Sequence, residues 1–215
     1  MNYRMYDISF KHGYSTNFVD DEFANKINTE FPKWNDSIWK TNGKVFNSEY
    51  GLKKELTDRL VMPSSITKFL SIVESQKFID RISSTINLTD LYIDKNLYGG
   101  GLNIYPPDSF LDPHVDYNYD NDIKAYRVVN LIYYVNSDWI PKYGGCLELY
   151  NIDRDRKKII PPKLNTCIIF AQNNKTIHGI AQINKFYRKS ISIWYYSKTP
   201  SPYLSATPHQ TVWLK

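Results

Sequence analysis

The stretch GGGLNIYPPDSFLDPHVDYN, residues 99–118, decides how this chain folds. Three glycines open it, an alternating run covers 101–105, Pro106-Pro107 interrupts it, and a second run covers 111–116. Both runs are short, apolar or alternating, and bounded by turn residues, as strands of an antiparallel sheet are. Side chains two apart on a strand share a face, so His114 and Asp116 point one way and Val115 the other. An imidazole and a carboxylate placed like that can hold one metal ion. By itself an HxD tripeptide is more often a surface pair, and its meaning depends on what the rest of the chain brings to it.

Toward the C-terminus, apolar or alternating runs continue near 127–135, 145–150, 165–170, 176–180 and 188–196, separated by Pro, Gly and Asn turns. Toward the N-terminus the period changes. Phe23, Ile27 and Phe31 recur at helical spacing over 20–31, and Pro32 ends that segment. A second helical region follows Pro63, with Ser64 or Ser65 as its cap and a break at Ser75-Gln76. Helices first and many short strands afterwards predict an α+β chain: a double-stranded β-helix (jelly-roll) core with supporting N-terminal helices. The expected organisation is a single domain over 1–215. It divides into helical or irregular support at 1–86, the jelly-roll core at 87–199, and a tail at 200–215.

The bulk composition excludes several classes. At 215 residues, with 42% apolar and 15% aromatic side chains, the chain can bury one substantial core. The net charge of +5, from 27 basic and 22 acidic residues, comes without a dense Lys/Arg stripe, so no nucleic-acid partner is expected. Arg154, Arg156, Lys157 and Lys158 interleave with Asp153 and Asp155 and read as a solvated hairpin. No run approaches the roughly eighteen apolar residues of a membrane span, and no apolar segment follows Met1–Met5, so neither a membrane nor a signal peptide is expected. Cys146 and Cys167 are too few for a disulfide framework and suit a reducing cytoplasm.

His178 lies 62 positions beyond Asp116 (178 − 116), on a strand that a jelly roll can return across the barrel mouth, and Gly179 leaves space beside it. Two imidazoles and one carboxylate form the facial triad of non-haem Fe(II) oxygenases, although zinc hydrolases use the same donors. Arg188 follows ten positions later (188 − 178) in a strand whose alternation puts Arg188, Ser190, Ser192 and Trp194 on one face. A guanidinium in a partly dry pocket demands a carboxylate or phosphate. No ligand motif accompanies His12 or His209 in the sequence, and neither is expected to take a site role. Asp120 and Asp122 read as turn residues or substrate contacts.

Four blocks, GGGLNIYPPDSFLDPHVDYN, RVVNLIYYVNSDWIPKYGGCLELY, PPKLNTCIIFAQNNKTIHGI and YRKSISIWYYS, together resemble the Fe(II)/2-oxoglutarate-dependent dioxygenases, in their prolyl 4-hydroxylase-like branch. The resemblance covers roughly residues 98–199; residues 1–60 resemble no family we can name. It implies that His114, Asp116 and His178 ligate Fe(II). Arg188 would then pair with the distal carboxylate of 2-oxoglutarate, with the Tyr134 hydroxyl as a second donor. Tyr105 would sit near the keto-acid end, Ser192 and Trp194 would line the pocket, and Arg127 would face the substrate. Pro106-Pro107 stand where such proteins often carry glycines. The implied cosubstrates are 2-oxoglutarate and O2, with ascorbate suggested as a further cofactor. The implied reaction hydroxylates a C–H bond, most readily in a prolyl or other peptide or protein substrate, with release of succinate and CO2. A microbial or phage-encoded enzyme acting in the cytoplasm is expected. Alternatives are a hydroxylase of a free amino acid or other small molecule, a zinc hydrolase, and a non-catalytic jelly-roll binding module.

Overall fold

The computed structural model describes residues 6–7, 10–155, 157–200 and 207–214. Met1–Met5, Arg156 of the basic run and parts of the tail (201–206 and 215) lie outside the described residues.

The N-terminal part is more than helical support. It begins with strands β1 (Tyr6–Asp7) and β2 (Lys11–Ser15), followed by helices α1 (Asp21–Glu30) and α2 (Ile38–Thr41). A hairpin of β3 (Gly43–Ser48) and β4 (Gly51–Leu56) comes next, then α3 (Ser64–Val73) and α4 (Gln76–Ile86). All four of these strands join the sheet, which corrects the expectation of a helical or irregular segment over 1–86. The Asp20 side chain caps α1 by accepting the Phe23 N–H at 2.8 Å. Neither Ser64 nor Ser65 caps α3. Pro63 precedes its first turn without a side-chain cap, and the Ser65 N–H goes instead to Glu30 Oε2 at 3.0 Å. The break at Ser75 is present, with that residue capping α4.

The remaining strands are β5 (Tyr92–Ile93), β6 (Gly101–Tyr105), β7 (Leu111–Val115), β8 (Tyr119–Asp120), β9 (Ala125–Tyr134) and β10 (Leu147–Tyr150). After them come β11 (Lys157–Ile160), β12 (Cys167–Ala171), β13 (His178–Ile180), β14 (Arg188–Ser197) and β15 (Val212–Trp213). All pairings are antiparallel, and the sheet order runs β1-β2-β12-β9-β14-β6-β4-β7-β13-β10-β11. The sheet curls into the expected jelly roll. β9 and β14 lie at its middle and bury both faces, which is why their sequences read as nearly continuous apolar runs rather than strict alternation.

The two faces serve different ends. On the convex face, Val129, Leu131 and Tyr133 of β9 and Ile191, Ile193 and Tyr195 of β14 pack with Ile27 of α1, Phe69 and Leu70 of α3, and Ile79 and Ile82 of α4. Burying such side chains stabilises by about 1.5–3 kcal/mol each, so the helices fix the sheet's curvature. The concave face carries a smaller cluster around Ile132, Tyr134, Leu147 and Leu149. The polar residues of interest open beside that second cluster.

Candidate active site

The geometry starts from strand register. His178 of β13 is the cross-strand partner of His114 of β7, and partners in an antiparallel pair project from the same face. Their ring centroids are 4.4 Å apart. Gly179 makes this approach possible, because a Cβ there would lie 2.9 Å from the Leu111 carbonyl oxygen of β7. The space it leaves is thus against the neighbouring backbone. Asp116 extends one residue past β7, and Gln172 Nε2 holds its carbonyl at 3.1 Å. Its carboxylate reaches His178 Nε2 at 3.2 Å and His114 Nε2 at 3.6 Å.

Each imidazole has one nitrogen committed to its own strand. His114 Nδ1 lies 2.7 Å from the Asp112 carbonyl oxygen and His178 Nδ1 lies 3.0 Å from that of Thr176. A carbonyl only accepts, so both Nδ1 atoms carry a proton, and both Nε2 atoms face Asp116, donating to its carboxylate when protonated and offering lone pairs to a metal ion when not. Donor atoms of the three residues lie within 4.8 Å of one another. Burial opposes the Asp116 charge, but the His114 and His178 hydrogen bonds outweigh it and hold the carboxyl well below the usual range. Burial likewise opposes charge on His178, and Asp116 overrides it and raises the imidazole. These are three strong donors drawn around one point where a divalent cation would replace shared protons. The donor set fits Fe(II).

The same cleft is also lined by Tyr105, Arg188, Ser192 and Trp194. Arg188 is 1% exposed. Its Nε donates to the Gly145 carbonyl at 2.8 Å and its Nη2 to the Tyr134 hydroxyl at 3.2 Å. The rings of Tyr134 and Tyr105 lie 4.9 and 5.2 Å from its Cζ. Among the described residues no carboxylate pairs with this buried cation, and a buried charge without a counter-ion demands one. Burial pushes the Tyr134 phenol up to about 12 despite the opposing pull of Arg188, so it remains a hydrogen-bond donor.

Arg127 reaches the inner face through an irregularity. Alternation from Asn130 would point it outward, but the β9–β14 register shifts between Tyr195–Val129 and Tyr196–Arg127. A bulge of this kind re-aims the next side chain. The guanidinium lies 3.6 Å from the Tyr117 ring centroid and 4.4 Å from that of Trp194, and its Nη2 donates to the Tyr98 carbonyl at 2.7 Å. It stands behind Gly99, where a Cβ would come within 2.0 Å of Nη2, and does not itself line the cleft. Asp120 accepts from Asp122 N and Ile123 N, a turn role, while Asp122 contributes only its backbone. His12 and His209 stay outside the cleft.

Three polar lining residues escaped sequence reasoning: Lys53, Asn103 and Asn130. Asn130 carried a readable signal, as the single amide inside the apolar run VVNLIYY. Lys53 carried none, because its hairpin resembles nothing recognisable.

Residues 100–196 match the family model described as the 2OG-Fe(II) oxygenase superfamily. No curated protein matches the chain. Among solved structures, a prolyl-4-hydroxylase from Pseudomonas putida superposes with a TM-score of 0.66 at 15% identity, covering 87% of this chain and 92% of the other. A Trichoplax adhaerens prolyl hydroxylase, solved with a hypoxia inducible factor peptide fragment, gives 0.60 at 18% identity over 86% and 83%. A viral collagen prolyl hydroxylase from Paramecium Bursaria Chlorella virus-1, in its 2OG complex, gives 0.58 at 14% identity over 86% and 96%. At these identities the likeness establishes the shared fold. The matched segment contains every member of the His114–Asp116–His178 cluster as well as Arg188, so the metal donors and the buried guanidinium both lie in the part of the chain that is similar to the 2OG-Fe(II) oxygenase superfamily.

Proposed function

We propose that this chain hydroxylates a C–H bond of a peptide or protein substrate, with a prolyl residue as the favoured target. The observation that carries the reading is one cleft holding both a three-donor metal cluster and a buried guanidinium without a counter-ion. A zinc hydrolase would use the first and have no need of the second. The peptide preference is supported by the fold, since three of the solved proteins that share it are prolyl hydroxylases and one of these was solved with a peptide fragment.

The residues divide the work. His114, Asp116 and His178 would hold Fe(II) from one side and leave the opposite side of the ion clear. Arg188 and the Tyr134 hydroxyl would fix the far carboxylate of 2-oxoglutarate by charge-assisted hydrogen bonds. Tyr105 would flank the keto-acid end, and Ile132, Leu147 and Ile180 keep that end of the cleft apolar. Ser192 and Trp194 line the same wall. When bound, iron and 2-oxoglutarate supply the oxidising chemistry, with conversion of the keto acid to succinate and CO2. No protein general base is called for, and among the described residues Asp116, itself a proposed ligand, is the one carboxylate lining the cleft.

No helix among the described residues is long and apolar enough to cross a membrane. A reducing cytoplasmic setting belongs to this reading, and Cys146 and Cys167 are both free thiols. Ascorbate would serve as an accessory reductant. The test is anaerobic addition of Fe(II) and 2-oxoglutarate, which should give a visible charge-transfer band that Zn(II) does not. Admission of air with a proline-containing peptide library should then release succinate and a product 16 mass units heavier. A protein that binds Fe(II) and gives no band would overturn the reading.

A further inference from the structure

β4 places an ammonium group in the cleft wall. In the sheet order it stands between β6, which faces Arg188 through Tyr105, and β7, which carries His114. Lys53 lines the cleft, and its Nζ donates to Asn103 Oδ1 at 2.7 Å and to Glu55 Oε2 at 2.9 Å. An ammonium has three N–H groups, so these two acceptors leave one for a guest. Across the cleft, Asn130 of β9 is 5% exposed and its Oδ1 is buried with no hydrogen-bond partner among the described residues. Leaving a buried acceptor unsatisfied costs stability, and a ligand that donates to it removes the penalty.

Charge balance says what kind of guest fits. The wall offers Lys53 and Arg188 as cations and Asp116 as an anion, and Glu55, outside the lining, is the anion paired with Lys53. Fe(II) and the 2-oxoglutarate dianion add equal and opposite charge. The loaded cleft is therefore balanced before the prime substrate arrives. A free carboxylate at Lys53 would bring an uncompensated negative charge into a poorly solvated space. It could instead pull Lys53 from Glu55 and strand that carboxylate. An amide does neither. Its carbonyl accepts the remaining Lys53 N–H, and a carboxamide such as Asn130, donor and acceptor at once, is complementary to another amide.

We propose that Lys53 and Asn130 are specificity-determining residues that recognise an uncharged peptide group of the prime substrate beside the oxidised residue and discriminate against free amino acids. The inference rests on the oxygenase reading above and deepens it. It also gives the β3–β4 hairpin, which lies outside the segment matching the family, the task of choosing the substrate.

The test uses the full-length protein loaded anaerobically with Fe(II) and 2-oxoglutarate. It compares two probe sets, the free L-amino acids and the same amino acids capped as N-acetyl methylamides. At least one capped probe should perturb the charge-transfer band, and its free counterpart should not. Lys53→Met and, independently, Asn130→Leu should each weaken that capped probe about tenfold or more, the scale of one hydrogen bond to a charged or buried group. Both should leave the 2-oxoglutarate titration unchanged. Asn130→Leu removes an unsatisfied group without leaving a void, so it remains informative should Lys53→Met fail to fold. Free amino acids binding better than capped ones, no probe shifting the band, or a 2-oxoglutarate affinity that falls in step with the probe would each overturn the inference. Absence of the band in the native protein would instead strike the oxygenase reading itself.

Discussion

The strands that carry the chemistry and the strands that close the cleft are built from different parts of the chain. β6, β7, β9 and β13 fall within residues 100–196, β14 runs one residue past it, and together they bring His114, Asp116, His178 and Arg188 to one concave face. β4 and β15 come from outside that segment, pair with it over only a few residues, and cover its open side. Iron and a keto acid impose the same demands on any protein that uses them, so the first group has little freedom. On the proposed reading, the second group faces the prime substrate. The division implies that damage to the first abolishes turnover of every substrate, while damage to the second changes which substrate is turned over.

The largest break should come at Asp116. Asp116→Ala removes the only carboxylate of the metal cluster, and iron-dependent succinate release should fall by at least about a hundredfold, since even outer-shell changes at metal sites cost 10–100-fold. Metal analysis of the variant beside the native protein would check the cause, with full iron occupancy and activity refuting the ligand role. Next comes Arg188→Ala. Truncating one partner of a buried charged pair costs about 2–5 kcal/mol, or roughly 30- to several-thousandfold in affinity. The loss should appear in the 2-oxoglutarate titration, with iron affinity unmoved. Equal changes in both titrations would make Arg188 a structural residue.

The same division explains what could be read in advance. His114 and Asp116 declared themselves through strand period two, and His178 through its place on a later strand. Arg188 showed in the alternation of a single run. Each signal is local or follows from a regular register. Arg127 was assigned toward the substrate, yet its inward aim depends on a one-residue shift against β14 that no alternation rule contains. Lys53 was invisible for a different reason. Which way a hairpin residue faces is settled by the strand it docks on, and the docking of β4 beside β6 joins positions about fifty apart, such as Lys53 and Asn103. The expected cap at Ser64 or Ser65 failed similarly, because Glu30 of another helix supplied the acceptor.

A smaller effect tests the seam between core and N-terminal support. Lys189, on β14, reaches Asn28 of α1 at 2.5 Å and lies over the Phe31 ring. Burial lowers its ammonium to about 8, against the favourable pull of Asp138. A folded pKa of about 8 below the ordinary 10.5 means that the unfolded chain binds more protons between those values. Stability should therefore rise with pH from about 8 to 10.5, and the cost of holding the charge should be fully present at neutral pH. Lys189→Met, which keeps the stem, should melt higher than the native protein at pH 7, and the difference should shrink above pH 10. A difference independent of pH would place the gain in packing alone.

The smallest effect, and the one that bears most directly on the closing strands, is at Trp213. β15 pairs with β7 so that Trp213 stands opposite His114, with ring centroids 4.7 Å apart. On its other side the indole stacks on Tyr50, at the turn of the β3–β4 hairpin, at 4.4 Å and 5°. One side chain thus ties the hairpin that carries Lys53 to the strand that carries a metal donor. An aromatic pair contributes about 0.5–1.5 kcal/mol beyond its buried area, so Trp213→Ala should lower stability modestly and leave the fold intact. Removing it frees the hairpin while all three metal donors remain. Iron and 2-oxoglutarate titrations should therefore change by less than about threefold, under about 0.7 kcal/mol. Succinate release without a prime substrate should rise relative to coupled turnover, as the cleft admits more water. If Trp213→Ala instead removes iron binding, the closing strands belong to the chemical machinery and the two regions are not separable.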